Sequence, residues 1–388
     1  MLVTTEQRNA LIKQLHAAPL QLVLQITGGG SLAISDLLTI PGGSRILLAA
    51  EVPYSPGAME RLLGKAPEQA CSERTARLMA VAAWFQARQF ATVADAVTIG
   101  LGCTASLASD RPKRGEHRIH LAIQTKELTR SWSLTLDKDR RARGEEERLT
   151  ADAILCFLRS FLKDSISSDD IQLELELSPQ EIPLTTEVRA LEAWQPLMTF
   201  EPYVVSGEGR QIASEEHSGQ TIFPGSFAPL HEAHRQIAAF AEQRLGRPVR
   251  FEISAWNVDK PPLDYWELQQ RVSQFDTPAN VWLTNQAMFR DKAQLFPGAT
   301  FLVGVDTVKR IADPRYYQGD TKLSLLTTKV LAAAGSRFLV YGRINGAGVF
   351  ETLGDCELPP ELRAICEEIP ESEFRRDVSS TELRQRAQ

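Results

Sequence analysis

The chain has 388 residues, 43% of them apolar and 24% charged, with 43 Lys and Arg against 49 Asp and Glu for a formal charge of −6. At about 150 residues per domain this length implies two or three domains. The composition is that of a chain folding in water, and no run approaches the roughly 18 uncharged apolar residues of a membrane span. A negative balance without a long basic run excludes nucleic acid as the expected partner, so a phosphate ligand needs a local site.

Cys71, Cys103, Cys156, Cys356 and Cys366 are scattered, with neither the C-x-x-C pairs of a zinc site nor a small-domain disulfide framework. They read as reduced, mostly buried thiols. The N-terminus carries charges through its apolar positions, unlike a signal peptide, which makes the cytoplasm the expected address.

In chain order, residues 5–16 suit a short amphipathic helix, LQLVLQI (20–26) a buried strand, TGGGS a glycine loop and SLAISDLL a helix. RILLAAEV, AVTIGLG, HRIHLAIQT and TRSWSLTL read as strands, with SERTARLMAVAAWFQAR a helix between the first two. A closing helix over 149–163 aligns Ile154, Phe157, Leu158, Phe161 and Leu162 on one face. These residues predict a first α/β domain over 1–165. Residues 166–217, with a strand candidate IQLELEL among prolines and acidic residues, are expected to connect it to a second domain over 218–388.

In the second domain TIF is a strand, PGSFAPLHEAH a loop, and RQIAAFAEQRL a helix stopped by Gly246 and Pro248. Asp264 and Glu267 have capping-box spacing at the start of DYWELQQRVSQF. VRFEI, VWL, TFLVGV and RFLVYG supply further strands alternating with helical segments, the pattern of a doubly wound, mostly parallel sheet. Asn345-Gly346 reads as a hairpin turn.

Two constellations suggest anion chemistry. His231 and His234 share one side of the first turn of a helix, where unpaired N–H groups and the dipole already favour phosphate. Their plain alternative is two histidines facing solvent. In VSSTELR, Ser379, Ser380 and Thr381 precede Arg384, so hydroxyls and a guanidinium fork could grip phosphates; the same spacing also fits an ordinary capping box.

GSFAPLHEAH and VSSTELR together resemble the H-x-x-H and S-S-T-x-x-R motifs of the nucleotidylyltransferase superfamily, with the nicotinamide or nicotinate mononucleotide adenylyltransferase branch the best match. The resemblance covers about residues 218 to 388 and implies a Rossmann-like domain. It also implies transfer of AMP from ATP, with Mg²⁺, to a phosphorylated acceptor and release of pyrophosphate. His231, His234 and Arg384 would be catalytic. Ser379, Ser380 and Thr381 would hold phosphates, Gly225, Ser226 and Phe227 would bring backbone to the nucleotide, and Lys260 and Asp306 would complete the site. Ala233 stands where the family has glycine.

Over residues 20–163, ITGGGSLAISDLLTIPGGSRILLAAEVPYSPGAM resembles the C-terminal domain of the competence-damage (CinA) family, which includes nicotinamide mononucleotide amidases. Gln25 stands where that family has its nucleophilic Ser, and Met59 replaces its activating Lys. A serine amidase needs both groups, so this domain is expected to be non-catalytic. Thr27, Gly28, Gly29, Tyr54 and Ser55 remain as a possible ligand pocket, with Ser31 expected to cap the following helix. His117 and His120 lie on opposite faces of their strand.

The expected function is therefore nucleotidyl transfer among small-molecule nucleotides, with no nucleic-acid or membrane partner and with homo-oligomer formation left open. A non-catalytic nucleotide sensor and a CTP-dependent cytidylyltransferase are the alternatives.

Overall fold

The computed structural model describes residues 4–110, 114–162, 175, 177–258, 261–317, 319–345 and 348–375. The chain divides into two compact units: Met1–Ala190 with Asp259–Trp266, and Leu191–Val258 with Glu267–Gln388.

In the first unit, β1 (Leu20–Thr27) is buried along its whole length. It pairs in parallel with β2 (Leu47–Glu51) and β3 (Val97–Ser106). The sheet continues antiparallel through β4 (His117–Gln124), β5 (Leu128–Leu136) and β6 (Leu184–Arg189), in the order β2-β1-β3-β4-β5-β6. The helices are α1 (Thr5–Ala17), α2 (Leu32–Thr39), α3 (Pro56–Leu63), α4 (Glu73–Phe90) and α5 (Arg143–Phe161).

A strand buried on both faces needs cover on each side. One core joins Leu11, Ile12 and Leu15 of α1 to Leu22, Leu24 and Ile26 of β1 and to Ile154, Phe157 and Leu158 of α5. On the other face Val23 of β1 meets Ala83 and Ala87 of α4. The opposed histidines follow the period-two geometry: His117 pairs with Glu146 of α5 at 2.8 Å, and His120 with Ser133 of β5 at 2.7 Å.

The second unit holds β7 (Val204–Ser206), β8 (Thr221–Pro224), β9 (Val249–Ser254), β10 (Val281–Thr284), β11 (Thr300–Gly304) and β12 (Arg337–Tyr341). A hairpin of β13 (Arg343–Ile344) and β14 (Phe350–Glu351) precedes β15 (Cys366–Ile369). The sheet order is β15-β12-β11-β8-β9-β10-β7, all parallel except β7. Its helices are α6 (Glu232–Leu245), α7 (Tyr265–Val272), whose first two residues belong to the first unit, α8 (Phe289–Leu295), α9 (Val305–Ala312), α10 (Thr321–Ala333) and α11 (Pro360–Arg363). Gly246 ends α6 in the left-handed conformation, at φ 66°, as its sequence position predicts.

Residues 166–217, expected to be a connection, instead contribute an edge strand to each sheet: β6 to the first and β7 to the second. The strand expected at 171–177 lies almost entirely outside the described residues. Asp264, expected as half of a capping box, is buried in the first unit, where its carboxylate accepts from Arg77 at 2.9 Å. The cysteines are free, with Cys103, Cys156 and Cys356 buried. No described helix is long and apolar enough to cross a membrane.

Candidate functional site

After the antiparallel edge strand β7, chain progression in the second sheet starts at β8, runs through β9 and β10 to one side, and then returns to lay β11, β12 and β15 on the other. The direction reverses between β8 and β11, whose ladder consists only of Thr300–Thr221 and Phe301–Ile222. Open α/β sheets bind ligands beyond the carboxyl ends of the strands at such a reversal, because the two outgoing loops diverge there. Gly225, Ser226, His231 and His234 follow the end of β8, and Asp306 follows the end of β11.

His231 is the N-cap of α6, and its backbone N–H donates to Nδ1 of His234 at 3.2 Å. The rings stack with centroids 3.6 Å apart and planes 20° from parallel. An Nδ1 that accepts from a backbone N–H carries no proton, so the neutral His234 ring presents its proton on Nε2. Burial, and then the charge of His231, lowers the His234 pKa to about 4, while burial lowers that of His231. Near pH 7 the pair is thus a stack of neutral imidazoles at a helix start.

Aromatic packing fixes that geometry. The His234 ring meets the rings of Phe223 and Phe227 edge-on, at 5.9 and 5.0 Å. Phe227 is buried and has φ 42°, unusual for a bulky residue. Phe223, Phe251 and Phe275 surround it, and its carbonyl accepts from Gln274 at 2.9 Å. Gln274 also accepts from Leu230 N–H at 2.8 Å, and Arg271 donates to the Ser226 carbonyl at 3.1 Å. A side chain at Gly225 would place Cβ 2.5 Å from the Phe227 ring.

The expectation that Ser226 and Phe227 offer backbone to a nucleotide is therefore modified. Their carbonyls are held by Arg271 and Gln274, and the Phe227 side chain supports His234 from below. Gln274 and Arg271 hold this loop, and no local sequence signal marks either.

Asp306 stands in the first turn of α9, where Gly304 occupies the N-cap, and its carboxylate accepts from Arg343 at 2.8 Å. Lys260, Ser379, Ser380, Thr381 and Arg384 lie outside the described residues. Among the described residues no group of three or more His, Cys, Asp and Glu is placed to hold a metal ion.

In the first unit the glycine loop is already filled. Glu147, in the first turns of α5, accepts from Gly30 N–H at 2.8 Å, from Leu32 N–H at 3.2 Å and from the Ser31 hydroxyl at 2.9 Å. The backbone donors of this loop thus hold an internal carboxylate. Ser31 occupies the N-cap position of α2, but its hydroxyl serves Glu147 and makes no capping bond.

Of the other residues of the expected pocket, all but Tyr54 are engaged within the fold. Thr27 is buried and donates to the Pro53 carbonyl at 3.1 Å. At Gly28, with φ 78°, a Cβ would lie 1.9 Å from the Ala105 carbonyl oxygen, and one at Gly29 would strike Leu107. Ser55 caps α3 by accepting from Ala58 N–H at 3.2 Å, and Tyr54 is exposed. Gln25 is fully buried and donates to Glu51 at 3.1 Å and Gln86 at 2.9 Å. Met59 packs with Leu63 and Met79.

No family model and no curated protein sequence matches the chain. Its solved structural neighbours include the competence/damage-inducible protein of Agrobacterium tumefaciens, at 20% identity and TM-score 0.33 over 42% of this chain and 99% of that one. A CinA-superfamily protein of Escherichia coli is similar at 21% identity and TM-score 0.29, over 41% of this chain and 89% of that one. One from Enterobacter cloacae is similar at 18% identity and TM-score 0.32, over 41% and 94%.

Proposed function

We propose that the second unit is a Rossmann-like nucleotidyltransferase domain that transfers AMP from ATP to a phosphorylated small-molecule acceptor, with the first unit as a non-catalytic module. The observation that carries this reading is the stacked His231–His234 pair, which opens α6 directly after the strand at which the sheet order reverses. Counted from β8 as the first parallel strand, the order across the sheet is 3-2-1-4-5-6, that of dinucleotide-binding folds.

Nucleotidyl transfer by direct attack of an acceptor phosphate on the α-phosphorus needs no protein nucleophile. It needs the reactants aligned and the charge on the reacting and leaving phosphates stabilised. Imidazole N–H donors at a helix N-terminus, from Nε2 in His234, suit this task, since they can bind phosphate oxygens beside the helix N–H groups. Ser379, Ser380, Thr381 and Arg384 are assigned to the far phosphates on the motif resemblance. Mg²⁺ is assigned to the triphosphate itself, entering as part of the substrate.

The first unit is assigned no amidase activity. The nucleophile position is a buried, hydrogen-bonded Gln25, and the position of the activating lysine is an apolar Met59.

The test is to incubate the full chain with ATP, Mg²⁺ and a panel of phosphorylated acceptors that includes nicotinamide and nicotinate mononucleotide, and to measure pyrophosphate. Release that is lost in a folded His231→Ala variant is the expected result. Folded protein that releases none with any acceptor, using ATP or CTP, overturns the proposal; tight nucleotide binding in that case identifies a sensor.

A further inference from the structure

A cavity of about 680 Å³ lies at the end of the second sheet opposite the histidine pair. Thr300, Arg337 and Cys366, the first residues of β11, β12 and β15, line it along with Arg247 and Ser336. Its volume falls within the about 300–1,000 Å³ of small-molecule sites. It is built at the amino ends of the strands, whereas the histidine pair follows a carboxyl end.

The polar groups that this cavity leaves available are donors. Arg337 is exposed, and no described carboxylate pairs with its guanidinium. Arg247 donates to the Gly219 carbonyl at 2.6 Å and the Thr300 hydroxyl at 2.7 Å, both neutral, so its charge is also uncompensated there.

The acceptors nearby are already engaged. Glu367 is held by Arg244 at 2.7 Å. At the end of α10 the carbonyls of Leu331, Ala332 and Ala334 accept from the N–H groups of Ser336, Gly335 and Gly298. Burial pushes the Cys366 thiol up to about 12, so it remains protonated and adds no negative charge. Leu245 and Ile365, both half-buried, supply apolar wall.

We propose that this cavity is a binding site for a small organic anion, with a phosphate or carboxylate headgroup held by Arg337 and Arg247 and its body against the apolar wall. The site does not depend on the proposed transferase reaction. Its place at the opposite end of the strands lets its ligand bind without displacing a nucleotide.

Isothermal titration of the full chain with phenyl phosphate and with phenylacetate, at constant ionic strength in chloride, separates the two headgroups. At least one probe is expected to bind. Arg337→Gln weakens that binding about tenfold or more, as loss of a charge-assisted bond does. His231→Ala leaves it unchanged. Thermal unfolding of each variant without ligand verifies folding. The proposal fails if neither probe binds, if binding persists undiminished in Arg337→Gln, or if it is lost in His231→Ala and kept in Arg337→Gln.

Discussion

Glu147 sits against Gly30 as an anion would, its carboxylate accepting the loop N–H at 2.8 Å from a helix that begins more than a hundred residues later in the chain. A glycine loop with successive backbone donors attracts negative charge, and here the protein supplies that charge itself. Glu147→Ala removes the acceptor for Gly30, Leu32 and Ser31 together, and is expected to cost about 1–3 kcal/mol, read as a lower urea midpoint. The vacated loop should then accept phosphate, so millimolar phosphate is expected to raise the melting temperature of Glu147→Ala more than that of the wild type. An equal phosphate response in both would show that the carboxylate does not occupy an anion site.

The replaced catalytic positions have been absorbed into the fold. Gln25 bridges Glu51 and Gln86 across β1, β2 and α4, and Met59 completes an apolar cluster under α3. Restoring Ser at 25 and Lys at 59 is expected to destabilise the first unit, not to produce an amidase. Lysine at 59 would place an amine among Leu63 and Met79, at a cost of several kcal/mol or with loss of its charge. Denaturation curves and an amide-hydrolysis assay on Gln25→Ser/Met59→Lys check both halves of this expectation; hydrolysis by a stable double variant would refute it.

A buried ion pair underlies the second sheet. Lys292 of α8 binds Glu252 of β9, both nearly inaccessible, and Glu252 also accepts from Thr284 at 2.5 Å. Lys292→Met strands the carboxylate and is expected to cost about 3–5 kcal/mol, while adding Glu252→Gln recovers most of the loss, because a neutral pair has no charge to desolvate. A double-mutant cycle of urea midpoints measures the coupling, and additivity would mean that the two charges do not depend on each other.

How far the sequence reveals this molecule depends on the range of each interaction. The α6 stop at Gly246 and the hairpin flanking Asn345-Gly346 are local, and the structure has both. β6 is a mostly exposed edge strand and β7 only three residues long, so neither leaves a strong apolar alternation to read. Glu147 in the glycine loop and Gln274 under Phe227 are invisible for a different reason. Their functions come from partners 117 and 47 residues away, and each is an ordinary polar residue in its own neighbourhood.

Protonation of the histidine pair ties this geometry to ligand binding. Unfolded, His234 titrates near 6.5; folded, its pKa is lowered to about 4 by burial and by His231. Between those values the unfolded chain binds more protons, so the free protein loses stability as pH falls from about 6.5 towards 4. His234→Gln should flatten that part of the profile. A bound triphosphate has the opposite effect, since nearby negative charge favours the imidazolium and raises both pKa values. ATP binding should therefore take up protons and tighten as pH falls from 7 towards 5. Titration calorimetry in buffers of different ionisation enthalpy measures the uptake, and the difference between wild type and His234→Gln cancels the nucleotide's own protons. Equal proton uptake by the two proteins would place the triphosphate away from His234.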